Sequence, residues 1–141
     1  MSLTSEAKTL WSGSLTDGSG STSLTSSGAA TLQVTWAGRS EGEAGVSNPE
    51  ELLGAAHSAC YSMALSNSLS KAGSPPESLD VTAAVTFIPG EGIAGSHLLV
   101  SAKIPGIDKE TFTSFAEDAK NSCPVSKALA GIQITLEATL Q

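Results

Sequence analysis

Basic side chains are scarce in this chain, with seven Lys and Arg against fourteen Asp and Glu, for a formal charge of -7 in 141 residues. That balance repels a phosphate backbone and an anionic lipid surface, so neither nucleic acid nor a membrane is an expected partner. Charge of either sign is thin too, at 15% against a usual share near ~25%, while hydrophobic residues reach 40%. A disordered polyelectrolyte is therefore excluded and a folded chain expected. Aromatic residues are 4%, which leaves the core to aliphatic side chains and alanine. No stretch approaches the roughly 18 uninterrupted apolar residues of a membrane span. The opening MSLTSEAKTLWSG lacks the charged and apolar regions of a secretory signal, so a cytoplasmic location is the expectation. Cysteine is limited to two residues without CxxC spacing. This excludes a disulfide scaffold and leaves two choices, inert core residues or working thiols. The length suits a single domain over residues 1–141.

What is present divides into a Ser, Thr and Gly-rich first third and a patterned remainder. Short alternating stretches at residues 8–15 and 30–36, separated by the turn-prone TDGSGSTS and SSG, predict β-hairpins. The segment GRSEGEAGV (residues 38–46) predicts a loop. Asn48 or Ser47 then supplies an N-cap, Pro49 the first helical position and Glu51 the third position of a capping box. The helix predicted from there runs over residues 49–72 and stops at Gly73, ahead of Pro75 and Pro76. Its middle turns are apolar nearly all round, which demands burial on most sides. A helix about 36 Å long is hard for one small domain to cover, so a homodimer is expected.

Alternation at Val81, Ala83, Val85 and Phe87, and again at Leu98, Val100, Ala102 and Ile104, predicts two strands joined by the loop PGEGIAG. Phe112, Phe115, Ala116 and Ala119 fall on one face of a helix over residues 109–121, and residues 124–130 form a second, short one. Ile132, Ile134, Leu136, Ala138 and Leu140 alternate along a final half-buried strand. The fold class is α+β, mostly antiparallel.

Few residues are equipped for chemistry. Cys60 lies mid-helix among alanines, where the plain reading is a small buried hydrophobe. Cys123 stands just before Pro124, beside a helix N-terminus whose dipole favours a thiolate, and by local electrostatics it is the better nucleophile. The two sulfurs can also form a disulfide, provided that the fold brings their Cα atoms within about 7 Å. Arg39, the single arginine, precedes several carboxylates; with Glu51 engaged in capping, Glu50 is the freer partner for its guanidinium. His57, one turn before Cys60, is placed to activate a thiol, although helical spacing makes such pairs by accident. A zinc site from both cysteines, His57 and His97 lacks the usual ligand spacings. Trp11 and Trp36 read as core or cross-strand packing.

The segments NPEELLGAAHSACYSMALSNSLSKAG (residues 48–73) and SCPVSKAL (residues 122–129), with RSEGE ahead of them, resemble the OsmC family, relatives of the organic hydroperoxide resistance proteins. HSAC is more similar to the OsmC branch, which marks His57 as a branch feature. The resemblance implies an OsmC-like fold, a mostly antiparallel sheet wrapped with a long buried central helix, in an intertwined homodimer with active sites shared at the interface. It implies a thiol-dependent peroxidase that reduces organic hydroperoxides to alcohols in oxidative or osmotic stress. Cys60 is then the peroxidatic thiol and Cys123 the resolving thiol. Arg39 stabilises the Cys60 thiolate, and Glu50 orients Arg39. An external dithiol, on family grounds a lipoyl protein, is the implied reductant, and no metal, flavin or haem is required. Glu50 and Cys60 are ten residues apart on one helix, about 15 Å along its axis, which suggests that Arg39 and Glu50 serve the Cys60 of the partner chain. The competing reading is a non-catalytic dimer that binds a small ligand or senses redox state with the same cysteine pair.

Overall fold

A computed structural model describes all 141 residues, Met1–Gln141. Its contacts divide the chain into two compact units, Met1–Leu52 and Leu53–Gln141, each described by itself.

The first unit is built from short strands rich in hydroxyl side chains. Strands β1 (Lys8–Ser12), β2 (Ser19–Ser23) and β3 (Thr31–Val34) form an antiparallel sheet in the order β1-β2-β3. Hydroxyls tie neighbouring strands together, Thr9 with Thr22 at 2.8 Å and Ser23 with Thr31 at 3.1 Å. Trp11 stands opposite Gly20, its ring over the space a side chain there would fill, and its indole N–H donates to the Gly13 carbonyl at 2.9 Å. That is the cross-strand role expected of it. Two expectations fail here. The segment read as a turn, TDGSGSTS, contains β2, because small polar residues in a hairpin are held by the ladder and not by an apolar pattern. The segment read as a loop from Gly38 opens inside a helical turn, α1 (Trp36–Ser40), which takes Trp36 out of the hairpin; Thr35 caps it by accepting from the Gly38 amide at 2.9 Å.

Helix α2 (Pro49–Lys71) starts in this unit and supplies the first element of the second. Asn48 is its N-cap, with Oδ1 accepting from the Glu51 amide at 2.8 Å. The capping box is not completed as expected, since the Glu51 carboxylate accepts from the Ser47 hydroxyl at 2.9 Å. The other end closes as predicted. Gly73 takes a φ of +83°, the Ser74 amide donates to the Leu69 carbonyl and the Gly73 amide to Ser70, the double bond pattern of a left-handed helix stop.

In the second unit, β4 (Ser78–Ile88), β5 (Gly92–Lys103) and β6 (Gln133–Leu140) form a sheet in the order β4-β5-β6. β4 and β5 are an antiparallel hairpin, with Ala94 the extra residue where the register shifts. The hairpin loop is shorter than PGEGIAG, because β5 begins at Gly92 and only Pro89, Gly90 and Glu91 intervene. β5 and β6 pair in parallel, as the helices between them allow, since a parallel neighbour needs a crossover of a dozen residues or more. Those helices are α3 (Lys109–Ser122) and α4 (Pro124–Ala128). Three of the four strand pairings in the chain are antiparallel.

One face of α2 carries the core. Gly54, His57, Tyr61, Leu65 and Leu69 are buried at intervals of three and four, and the last three form one core with Leu98, Val100 and Ala102 of β5 and Phe112, Ala116 and Ala119 of α3. Each large aliphatic or aromatic side chain so buried contributes about 1.5–3 kcal/mol. Gly54 lets the helix settle on the sheet, since a Cβ there would stand 2.8 Å from the Ala83 carbonyl oxygen of β4. Tyr61 fastens α2 to α3 by donating to the Ala116 carbonyl at 2.9 Å, and burial pushes its hydroxyl pKa far above the ordinary value. Burial on most sides of α2 is not what a single chain shows, because Ala55, Ala56, Ala59 and Met63 are exposed. No helix is long and apolar enough to cross a membrane.

Candidate thiol site

In the first unit, Arg39 and Glu50 form a two-point ion pair. Arg39 Nη2 lies 2.8 Å from Glu50 Oε1, and Nε donates to the same oxygen at 3.1 Å and to Oε2 at 3.3 Å. The Glu50 side chain is 7% exposed and that of Arg39 30% exposed, so the carboxylate is sunk and the guanidinium half-presented. The local backbone explains the pairing. Asn48 Nδ2 donates to the Gly38 carbonyl at 3.1 Å, and the Ser47 amide to Gln33 at 2.8 Å, which ties the α1 turn and β3 to the entrance of α2. Arg39 then leaves α1 beside Glu50 in the first turn of α2. The expectation that Glu50 and not Glu51 receives the guanidinium holds.

In the second unit, α2 carries Cys60 and the junction of α3 and α4 carries Cys123. Both thiols are free; Cys60 is partly exposed and Cys123 fully buried. Cys123 lies near enough to act on the ionisation of the Cys60 thiol, and so does the Val125 backbone in the first turn of α4. The fold thus brings together the two sulfurs whose proximity the sequence left open. Cys123 stands at the start of α4 and makes no side-chain capping bond there. Burial raises the Cys60 thiol pKa above its ordinary value, contact with Cys123 adds to the rise, and the Val125 amide opposes it.

His57 is fully buried with both ring nitrogens engaged, Nδ1 with the Ser96 hydroxyl at 2.7 Å and Nε2 with the Ser126 hydroxyl at 2.8 Å. Burial lowers its pKa, which keeps the ring neutral. So engaged, it is not available to take the proton of Cys60. Ser96 and Ser126 escaped sequence reasoning; Ser96 is the inward-facing polar residue on a strand whose other inward positions are Leu98, Val100 and Ala102, and that break in the apolar alternation was the available signal. His97 faces the other side of the sheet, bonded to Thr135 at 2.6 Å and 3.7 Å from the Glu137 carboxylate. A cleft of about 510 Å³ beside α2 is lined by Ser62, Met63, Ser66, Asn67, Pro76, Glu77, Ser78 and Leu79, without Cys60.

The site therefore consists of two free thiols on an α+β scaffold, one buried and one partly exposed. Residues 42–137 match the family model described as OsmC-like protein. Over 145 residues, covering all of this chain and 99% of the relative, the sequence is 41% identical to Peroxiredoxin OsmC of Escherichia coli. Among solved structures, an organic hydroperoxide resistance protein from Elizabethkingia anophelis superimposes with a TM-score of 0.71 at 26% identity, over 100% of this chain and 99% of that one. The organic hydroperoxide resistance protein OsmC of Legionella pneumophila gives 0.72 at 24% identity, over 97% of each chain. The chain belongs to the OsmC family. That kinship gives it a peroxide-related redox role and supports peroxidase activity.

Proposed function

We propose that this protein is a thiol-dependent peroxidase that reduces organic hydroperoxides to alcohols, as one domain working in a homodimer in the cytoplasm. The observation that carries the reading is the proximity of the partly exposed Cys60 to the buried Cys123. Cys60, as thiolate, attacks the distal peroxide oxygen; the O–O bond breaks, the alkoxide takes up a proton and leaves as alcohol, and Cys60 is left as a sulfenic acid. Cys123 then attacks the Cys60 sulfur, water leaves, and a disulfide remains. An external dithiol, such as a lipoyl group on a partner protein, supplies two electrons and two protons and restores both thiols.

The reaction needs a thiolate, and an unperturbed thiol with pKa near 8.5 is only about 3% ionised at pH 7. Burial moves Cys60 further from ionisation, so a cation must offset it. We assign that task to Arg39, oriented by Glu50, and place the pair of one subunit against the Cys60 of the other. Two features support a second copy. The exposed side of α2 presents Ala55, Ala56, Ala59 and Met63, the last 72% exposed, and an apolar helix face of this kind asks for a cover. β1 is exposed along its whole length and forms an edge of its sheet, and an open edge strand is a template for pairing with another chain. An interface closed over Cys60 by apolar side chains would also select alkyl over polar peroxides.

Turnover of cumene hydroperoxide with a dithiol tests the assignment. Wild type is expected to turn over many times, Cys60→Ser not at all, and Cys123→Ser to stall with a trappable sulfenate on Cys60. Mixed dimers of Cys60→Ser and Arg39→Ala chains should regain one working site. Inactive mixtures refute the shared site, and a wild type that oxidises once and stops refutes the enzyme.

A further inference from the structure

Among the buried polar side chains that the proposed reaction leaves unused are Ser96 on β5, His57 on α2 and Ser126 in α4, with relative exposures of 1%, 0% and 5%. They form one continuous chain of hydrogen bonds, hydroxyl to imidazole to hydroxyl, 2.7 Å and 2.8 Å long. A polar chain in a core needs both bonds, since each lost partner strands a buried group. Its position gives it a further consequence. His57 precedes Cys60 by one turn of α2, and Ser126 follows Cys123 and Val125, the two residues that lie near enough to act on the Cys60 thiol.

Helix α4 spans five residues, and Cys123 at its start makes no side-chain capping bond. A helix that short has almost no stability of its own, because a single turn costs more in ordering than its hydrogen bonds return. The place of its first turn is therefore set by tethers, and the His57 bond to Ser126 is one that reaches it from the helix bearing Cys60. The Ser96 bond anchors the opposite edge of the ring to the sheet. One rigid ring thus brackets the two elements that carry the thiols.

We propose that His57 is a positioning residue that holds Ser126 and the first turn of α4 against α2, and thereby sets how readily Cys60 and Cys123 join as a disulfide. The proposal rests on the reading that this disulfide forms in the working cycle. It acts through effective concentration: two thiols fixed at contact close far more readily than two on independently moving segments.

The test needs no peroxide. Protein is equilibrated with mixtures of reduced and oxidised dithiothreitol, and the oxidised fraction is read by thiol trapping. As the bond between the Cys60 and Cys123 sulfurs forms, the disulfide of the reagent breaks, and two electrons with two thiol protons pass to it. Ser126→Ala is expected to lower the equilibrium constant for closure about tenfold, which is ~30 mV for a two-electron couple. His57→Asn keeps a polar atom near the position of Nδ1 only and should fall alongside it. His57→Gln reaches the position of Nε2 and should recover to within about threefold of wild type, and so should Ser96→Ala, which deletes one oxygen at the far end. Should His57→Asn fail to fold by circular dichroism, the two serine variants decide the matter. Equal shifts in Ser96→Ala and Ser126→Ala, or none in either, overturn the proposal and reduce the chain to core packing. A wild type that forms no Cys60–Cys123 disulfide at any ratio overturns the proposed catalytic cycle as well, so the two failures are distinguishable.

Discussion

Replacing His57 with alanine removes both hydrogen bonds of a fully buried ring and leaves the Ser96 and Ser126 hydroxyls without their partner. The lost volume and the two stranded hydroxyls together cost about 2–4 kcal/mol at pH 7.5. The penalty should depend on pH, with a sign fixed by burial. The folded-state pKa of His57 lies below the ordinary value of 6.5, so the unfolded chain takes up a proton that the folded chain refuses. The stability that the neutral ring confers is present above the unfolded value and declines as pH falls beneath it. Between pH 7.5 and 5.5 the decline reaches about 1.4 kcal/mol for a ring that stays neutral in the fold. Carboxylates titrate in the same range, but they are shared with the variant, so the difference between the two proteins isolates the histidine. Urea unfolding at both pH values, at one protein concentration to hold any association constant, gives that difference. The gap between wild type and His57→Ala should narrow at the lower pH, by no more than about 1.4 kcal/mol. A gap that stays constant or widens refutes the neutral, buried imidazole.

Two further substitutions probe other parts of the molecule. Gly54→Ala places a methyl group 2.8 Å from the Ala83 carbonyl oxygen, a backbone atom held in the β4–β5 ladder; a loss of about 1–3 kcal/mol is expected in thermal unfolding, despite alanine's better helix propensity. Arg39→Lys keeps the charge but cannot reproduce the contacts of Nε and Nη2 with Glu50; it should cost about 1 kcal/mol or less in stability while lowering hydroperoxide turnover by about tenfold or more, and unchanged turnover would remove the fork geometry from the mechanism.

How much of this was legible depended on which force shaped each element. α2 was readable to within a residue at both ends, because its limits are set by local chemistry in Asn48, Pro49 and Gly73. β4, the inward residues of β5, α3 and β6 followed from alternation and periodicity, since one face of each is buried. β2 did not, because Ser19, Gly20, Ser21, Thr22 and Ser23 carry a turn-like composition and are held by strand partners distant in sequence. The parallel pairing of β6 with β5 is likewise a tertiary choice that alternation cannot encode. At the site, Arg39 with Glu50 was recoverable because a lone guanidinium stood near few free carboxylates. The bonds from His57 to Ser96 and Ser126 were not, since they join residues 39 and 69 positions apart. That Cys60 and Cys123 come near one another was not legible either, since they stand on α2 and at the α3–α4 junction, far apart in sequence.

The unequal exposure of the two sulfurs imposes an order on whatever reaches them. A reagent diffusing in from solvent finds the α2 thiol first, while its neighbour, sealed by protein on every side, can be consumed only by way of that first atom. Damage is staged in the same manner, so the second sulfur remains in reserve until the outer one has already reacted.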